Sequence, residues 1–269
     1  MYRVARRIAG EVGGQKMSRV WFAFDHLEAS GQVLTGRRLD AVETLGKALL
    51  LRFEDGTVIY THNQLYGRWM FSDADSRPRT GRQLRLALVA HRRAALLYSA
   101  SDIDVVAPGE LESHPFIQRA GLDVLSSGAG PEAIAEWIQG SAFARRRLGH
   151  LLLDQSFLAG VGNYLRSEIL FVAGLHWQRR PSELDEAGLR RLAEATHALM
   201  WRSVDTGGIT NDPERARQLR RSGWARRDYR HHVFGREAQA CFACGGPVTR
   251  QAVSGRRLYH CGQCQPAPA

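Results

Sequence analysis

The chain has 269 residues, 44% of them hydrophobic, and its 37 Lys plus Arg against 27 Asp plus Glu give a formal net charge of +10. That length allows one large domain or two to three small ones with real cores, and the apolar share excludes wholesale disorder. No apolar run approaches the roughly 18 residues of a bilayer span, which argues against a helical membrane protein. The basic surplus concentrates polyanions, nucleic acid first among them, although composition alone fits an incidentally basic protein equally well.

The first residues, Met1-Tyr2-Arg3-Val4-Ala5-Arg6-Arg7-Ile8, carry charge but no following apolar segment, so a signal peptide is not expected and the protein is placed in the cytoplasm. Arg3, Arg6 and Arg7 interleave with Val4, Ile8 and Val12 at helical spacing, which predicts an amphipathic helix facing a core. Glu11 and the short length argue against a mitochondrial presequence. The next hundred residues alternate in short runs such as Ser18 to Phe24, Ala48 to Phe53 and Leu84 to Val89. Turn formers at Glu54-Asp55-Gly56 and from Asp73 to Gly81 separate them, so this half reads as an antiparallel sandwich or flattened barrel.

Near Gly121 the character changes. From Pro131 to about Val204 the periodicity is helical, clearest where Leu189, Leu192, Ala193, Leu199 and Met200 share a stripe with Thr196. Ser182, followed by Glu183 and Asp185, is the expected N-cap of that helix. The Arg-rich stretch from Thr206 to Arg230 lacks a core pattern and reads as a mobile or loosely packed connection.

All four cysteines fall at the end. Cys241-x-x-Cys244 and Cys261-x-x-Cys264 stand sixteen residues apart, a spacing that suits a four-cysteine zinc site. Each pair presents two thiolates to one side of a tetrahedral ion. Ser254-Gly255 in the middle of the alternating Val248 to Leu258 suits a β-hairpin between the pairs. Two disulfides or free core thiols are the other readings, and a cytoplasmic setting disfavours the disulfides. One structural Zn2+, with no open coordination position, is therefore expected.

The segment Leu151 to Arg166 reads as helix, turns, helix, with Gly160 and Gly162 supplying the turns and Asn163 opening the second helix. There its amide and the free N–H groups can hold a phosphate, although an ordinary cap explains the residue as well. Gln155-x-x-x-Ala159-Gly160-x-Gly162-Asn163-Tyr164, followed by the four-cysteine ribbon, resembles the helix–two-turn–helix and zinc finger of the formamidopyrimidine-DNA glycosylase/endonuclease VIII family. Leu45 to Leu50, His62 to Gly67, Leu97 to Asp102 and His114-Pro115-Phe116 resemble its endonuclease VIII branch, so the likeness runs almost the whole chain.

The resemblance implies an α+β multidomain protein. Residues 1–122 would form a β-sandwich-like N-terminal domain, 123–230 a helical helix–two-turn–helix domain and 231–269 a zinc-ribbon β-hairpin, with DNA in a basic cleft between them. It implies a base-excision-repair glycosylase and abasic-site lyase for oxidised pyrimidines, working as a monomer on damaged double-stranded DNA in the bacterial cytoplasm, at the nucleoid. Gln64, Leu65 and Tyr66 would fill the hole left by an extruded nucleotide. Lys47 would donate a proton in β-elimination. Arg256, with Arg257 as the neighbour one register away, would grip the phosphate beside the flipped nucleotide and serve δ-elimination. Asn163 and Arg119 would contact the backbone. Glu168 is matched either by a partner of active-site groups or by a structural ion pair.

Family members begin, after Met, with Pro-Glu-Gly-Pro-Glu, whose proline amine is the nucleophile; this sequence begins Met1-Tyr2-Arg3-Val4. Two readings follow from the resemblance. Either the start is assigned too late and the protein is the enzyme, or the chain is a non-catalytic zinc-ribbon protein that binds DNA damage. A zinc-ribbon regulator of undamaged DNA or of a protein is a third. Lys47, the Gln64-Leu65-Tyr66 triad and Arg256 favour the enzyme, since a binder has no use for an elimination lysine.

Overall fold

In the computed structural model, which describes residues 1–268, the chain divides into two compact units, Met1–Arg119 and the described residues from Ala120 onward. The first unit is a β-sandwich of two four-stranded antiparallel sheets. One has the order β1 (Arg19–Phe22), β6 (Leu84–Val89), β7 (Arg93–Tyr98), β5 (Arg68–Asp73). The other has the order β2 (Leu39–Leu45), β3 (Ala48–Phe53), β4 (Val58–His62), β8 (Asp102–Val106). Phe22, Leu86, Leu88 and Leu97 from the first meet Leu49, Leu51, Phe53 and Ile59 from the second in one buried cluster. Each such side chain contributes about 1.5–3 kcal/mol by leaving water.

Two helices close this core. α1 (Tyr2–Val12) buries Ala5, Ile8 and Val12 and leaves its arginines outside, as the spacing predicts. Glu11 accepts from Arg93 Nε at 2.6 Å and so ties α1 to β7. α2 (Glu28–Leu34) lies along β1, where the Thr35 hydroxyl after it caps Val20 N–H at 3.0 Å. β3 is apolar on both faces for a reason. Ala48 and Leu50 point away from the sandwich into a second cluster with Val58 and Tyr60, covered by Phe116 and Ile117 of α3 (Pro115–Arg119).

The second unit is helical and ends in a hairpin. It contains β9 (Leu122–Asp123), α4 (Pro131–Ile138), α5 (Leu148–Leu151), β10 (Leu158–Ala159), α6 (Asn163–Val172) and α7 (Glu186–Thr206). It continues with α8 (Pro213–Arg221), α9 (Arg226–Tyr229), β11 (Val248–Val253) and β12 (Arg256–Cys261). Its core joins α4, α5, α6 and α7 and includes Val253 and Leu258 of the hairpin. The α7 stripe is buried as expected. Its cap is not Ser182, which lies in a short 3-10 turn; Asp185 Oδ1 accepts Gly188 N–H at 2.7 Å instead. Among the described residues no helix is long and apolar enough to cross a membrane.

The Arg-rich connection is not loose. Asp212 caps α8 by accepting Arg215 N–H at 2.8 Å, and Thr210 and Asn211 are buried. Thr210 N–H and Asn211 Nδ2 reach the carbonyls of Arg230 and Tyr229 at 2.8 and 2.9 Å. Polar bonds order this stretch, so apolar periodicity could not reveal it.

Candidate nucleic-acid interface and metal centre

Two groups of residues matter, one in each unit. In the first, the loop between β4 and β5 carries the expected triad. Gln64 has φ 50, a left-handed conformation that costs a non-glycine residue energy and persists only when its surroundings impose it. They do: Gln64 N–H points at His62 Nδ1 at 3.3 Å, Ser101 Oγ donates to Gln64 Oε1 at 3.1 Å, and Gly67 N–H closes on Asn63 O at 2.8 Å. Arg82 Nη1 holds Tyr66 O at 2.7 Å. Their side chains stay out. Leu65 is 81% exposed and Tyr66 72%, the most exposed large apolar residues among the described ones. At that exposure neither side chain packs into the core.

Lys47 occupies the Gly46-Lys47 turn of the β2–β3 hairpin, where Gly46 takes φ 57. Pairing of Ala48 with His62, and of His62 with Asp102, brings Lys47, His62 and the triad to one end of this sheet. Burial lowers the His62 pKa, the Asp102 carboxylate opposes that shift and the Lys47 charge adds to it. His62, with Asp102 Oδ2 3.7 Å from Nδ1, is a further candidate that sequence reasoning passed over, although it opens the same motif. Arg119 ends α3, its Nε donating to Pro115 O at 2.9 Å, and its charge acts on the Tyr60 hydroxyl. The ring of Phe116 on that helix lies 5.9 Å from that of His62, so Arg119 borders the same face.

In the second unit Asn163 and the hairpin tip come together. Gly162, not Asn163, is the N-cap of α6; the Asn163 amide donates to Arg257 O at 3.0 Å. Beneath them Arg166 is fully buried. It donates to Asn163 Oδ1 at 2.9 Å, Gly149 O at 2.9 Å and Val253 O at 3.2 Å, with Arg256 O and Arg257 O at 3.5 and 3.4 Å. Burial, with Arg256 as the second cause, pushes its pKa down to about 10, so it stays a cation at neutral pH. One buried guanidinium thus sets Asn163 against the strand that carries Arg256 and Arg257, whose own side chains stay exposed.

Glu168, further along α6, has structural partners, but they are hydrogen-bond donors and not the expected ion pair, since burial lowers the pKa of the nearby His231 to about 4. Its carboxylate accepts the N–H groups of His232, Val233 and Phe234 at 2.7, 2.8 and 2.9 Å and the Thr210 hydroxyl at 2.7 Å, with no exposure to solvent. It fastens the segment leading to the first cysteine pair.

The cysteine sulfurs all lie within 4.8 Å of one another, Cys244 and Cys261 at 3.4 Å and Cys241 and Cys264 at 3.9 Å. A disulfide needs about 2.05 Å, so these are four free thiols facing one point, able to hold a metal ion. Cys241 Sγ also accepts Ala243 N–H at 3.4 Å, the turn hydrogen bond that folds a C-x-x-C knuckle around its ligands.

The formamidopyrimidine-DNA glycosylase N-terminal domain model matches residues 1–100, and the H2TH domain model of the same glycosylase matches 121–214. The chain belongs to the formamidopyrimidine-DNA glycosylase family. Endonuclease 8 of Enterobacter sp. (strain 638) is 40% identical over 263 residues, spanning 98% of this chain and 97% of that protein. The MutM (Fpg) structure from Thermus thermophilus is 29% identical with a TM-score of 0.77, over 100% of this chain and 98% of that one. Lactococcus lactis Fpg, solved with FAPY-dG-containing DNA, has a TM-score of 0.79 at 18% identity, covering 99% and 98%, and bears on the fold alone. As in this family, the chain joins an N-terminal β domain to a helix–two-turn–helix region and a C-terminal four-cysteine hairpin.

Proposed function

We propose that this protein is a base-excision-repair DNA glycosylase with abasic-site lyase activity, acting on oxidised pyrimidines in double-stranded DNA. The observation that carries this reading is the exposed Leu65–Tyr66 pair on a constrained loop beside Lys47 and His62, in a chain of this family. Extruding a nucleotide costs a few kcal/mol of stacking and pairing, and apolar side chains entering the vacated space offset part of it. Leu65 and Tyr66 supply those bodies, and the Gln64 amide faces the orphaned base. The preference for pyrimidines rests on the likeness of this triad to that of endonuclease VIII.

Lys47 then donates a proton during β-elimination at the opened sugar. Arg256, reached through the hairpin that Arg166 fixes, grips the neighbouring phosphate as a planar fork and supports δ-elimination. Asn163 and Arg119 hold further phosphates. Cys241, Cys244, Cys261 and Cys264 hold one structural zinc: Zn–S bonds of about 2.3 Å place sulfurs roughly 3.8 Å apart, close to the separations found here. Zinc supplies folding energy there and no chemistry. The same reading places the protein, as a monomer, on the nucleoid in the bacterial cytoplasm.

The nucleophile of such a lyase is an amine with an appreciable unprotonated fraction near neutral pH, as an N-terminal amine of pKa about 7.7–8.0 has and a lysine of pKa about 10.4 has not. Borohydride trapping on abasic-site DNA tests the reading, comparing the 269-residue chain with a form carrying Pro-Glu-Gly-Pro-Glu ahead of Met1. Trapping by the extended form supports a lyase that uses the proline. Trapping by neither form, with lesion binding intact, leaves a damage-recognition protein and overturns the enzyme.

A further inference from the structure

The β11–β12 hairpin turns through Ser254 and Gly255, both left-handed at φ 54 and 67, immediately before Arg256. The Ser254 hydroxyl lies 2.6 Å from Nδ1 of His150, an exposed residue of α5 that is distant in sequence. Arg166 fixes both sides of that contact. Its guanidinium bonds Gly149 O, one residue before His150, and Val253 O, one residue before Ser254. The same group holds Asn163 Oδ1. The imidazole is therefore placed relative to Asn163 and the hairpin tip by a buried anchor, not by a surface coincidence.

A neutral imidazole carries one proton, and the partner of one ring nitrogen decides where it sits. Burial first, then the charges of Arg147, Arg166 and Arg146, favour the neutral ring here. When the Ser254 hydroxyl donates to Nδ1, the ring proton resides on Nε2. The exposed ring then presents an N–H donor beside Arg147, next to the tip that carries Arg256. A donor in a field of positive charge, with no carboxylate bonded to it, suits an anion.

We propose that His150 is a DNA-backbone ligand: Ser254 holds its ring in the Nε2–H form, and Nε2–H donates to a phosphodiester oxygen adjacent to the phosphate gripped by Arg256. The proposal rests on the reading that this hairpin tip meets DNA. Its contact is neutral, so it differs from an arginine contact in a measurable way. Losing a charged contact lowers the slope of log affinity against log salt by about 0.9, whereas losing a neutral donor weakens binding at every salt concentration without changing the slope.

The test is fluorescence anisotropy of the full chain, with zinc content verified, on a duplex containing a tetrahydrofuran abasic analogue, across a KCl series. His150→Ala should bind about tenfold more weakly with an unchanged slope, the scale of one hydrogen bond to a charged group. His150→Gln, whose amide reaches the position of Nε2, should restore most of the loss. His150→Asn, whose amide reaches only as far as Nδ1, should not. Arg256→Ala, run alongside, should weaken binding with a shallower slope. Rescue by Asn but not by Gln would make His150 a brace of the turn and overturn the proposal. So would wild-type binding by His150→Ala while Arg256→Ala is impaired. If both alanine variants bind like wild type, the tip does not meet DNA and the functional reading of Arg256 falls too.

Discussion

Replacing Glu168 with Gln exchanges one carboxylate oxygen for an NH2 group at constant shape, so no cavity opens and the effect isolates hydrogen bonding. The amide oxygen can keep the Val233 and Phe234 N–H groups that Oε1 accepts at 2.8 and 2.9 Å. The NH2 then faces His232 N–H, which sits 2.7 Å from Oε2, and two donors oppose each other. Thr210 can rotate its hydroxyl to accept. One buried N–H loses its partner, at about 1–3 kcal/mol, and the remaining bonds lose their charge assistance. A total of about 3 kcal/mol is expected, a large share of the 5–15 kcal/mol that a folded domain has to spare. For a unit of this size that lowers Tm by roughly 6–12 °C. Differential scanning calorimetry of zinc-loaded protein reads the shift, and abasic-DNA affinity should stay within a few-fold below the transition. An unchanged Tm with abolished lyase activity would refute the structural assignment and return Glu168 to the active-site groups.

Three further outcomes follow from the geometry. Leu65→Ala removes a side chain that is 81% exposed, so stability should hold within about 0.5 kcal/mol while base excision falls by about tenfold or more; loss of stability in a urea titration would mean that the loop packs on the core. Cys244→Ser should abolish zinc binding and DNA binding together, since the metal would hold the two cysteine pairs that flank the hairpin; a metal-free variant with normal affinity would sink the ribbon assignment. Hydrogen bonding to Arg93 holds the Glu11 carboxyl below its ordinary value of 4.5, so its stabilisation is fully present above that pH and is lost as pH falls below it. Glu11→Gln should therefore narrow its stability deficit in acid, and a pH-independent deficit would contradict the ion pair.

What the sequence disclosed and what it hid divide along a physical line. α1, β1 and the α7 stripe were legible because burial of apolar side chains imposes a period, and the cysteine pairs because tetrahedral coordination imposes a spacing. The α7 cap was misplaced by three residues because Ser182 and Asp185 are both good cap formers and only the backbone path selects between them. The ordered course of residues 206–230 was invisible because its order comes from Thr210, Asn211 and Asp212 bonding to backbone, and such bonds leave no periodic trace.

The same line explains why the residues proposed to face DNA needed more than pattern. Lys47 in a hairpin turn and Gln64-Leu65-Tyr66 in a loop are ordinary turn-region residues by composition. Their meaning lies in His62, which pairs with Ala48 beside the first and accepts the backbone N–H of the second. On the other unit Arg166 plays the corresponding part, joining Asn163 to the hairpin strands from a position with no exposure at all. A buried cation is expensive to desolvate and is retained where it satisfies several acceptors at once. Arg166 does so with carbonyls from α5 and both hairpin strands, which keeps the exposed arginines of the tip in register with Asn163. Preorganisation of that kind removes the ordering cost from binding, so the affinity of the tip should depend on residues that never touch the phosphate.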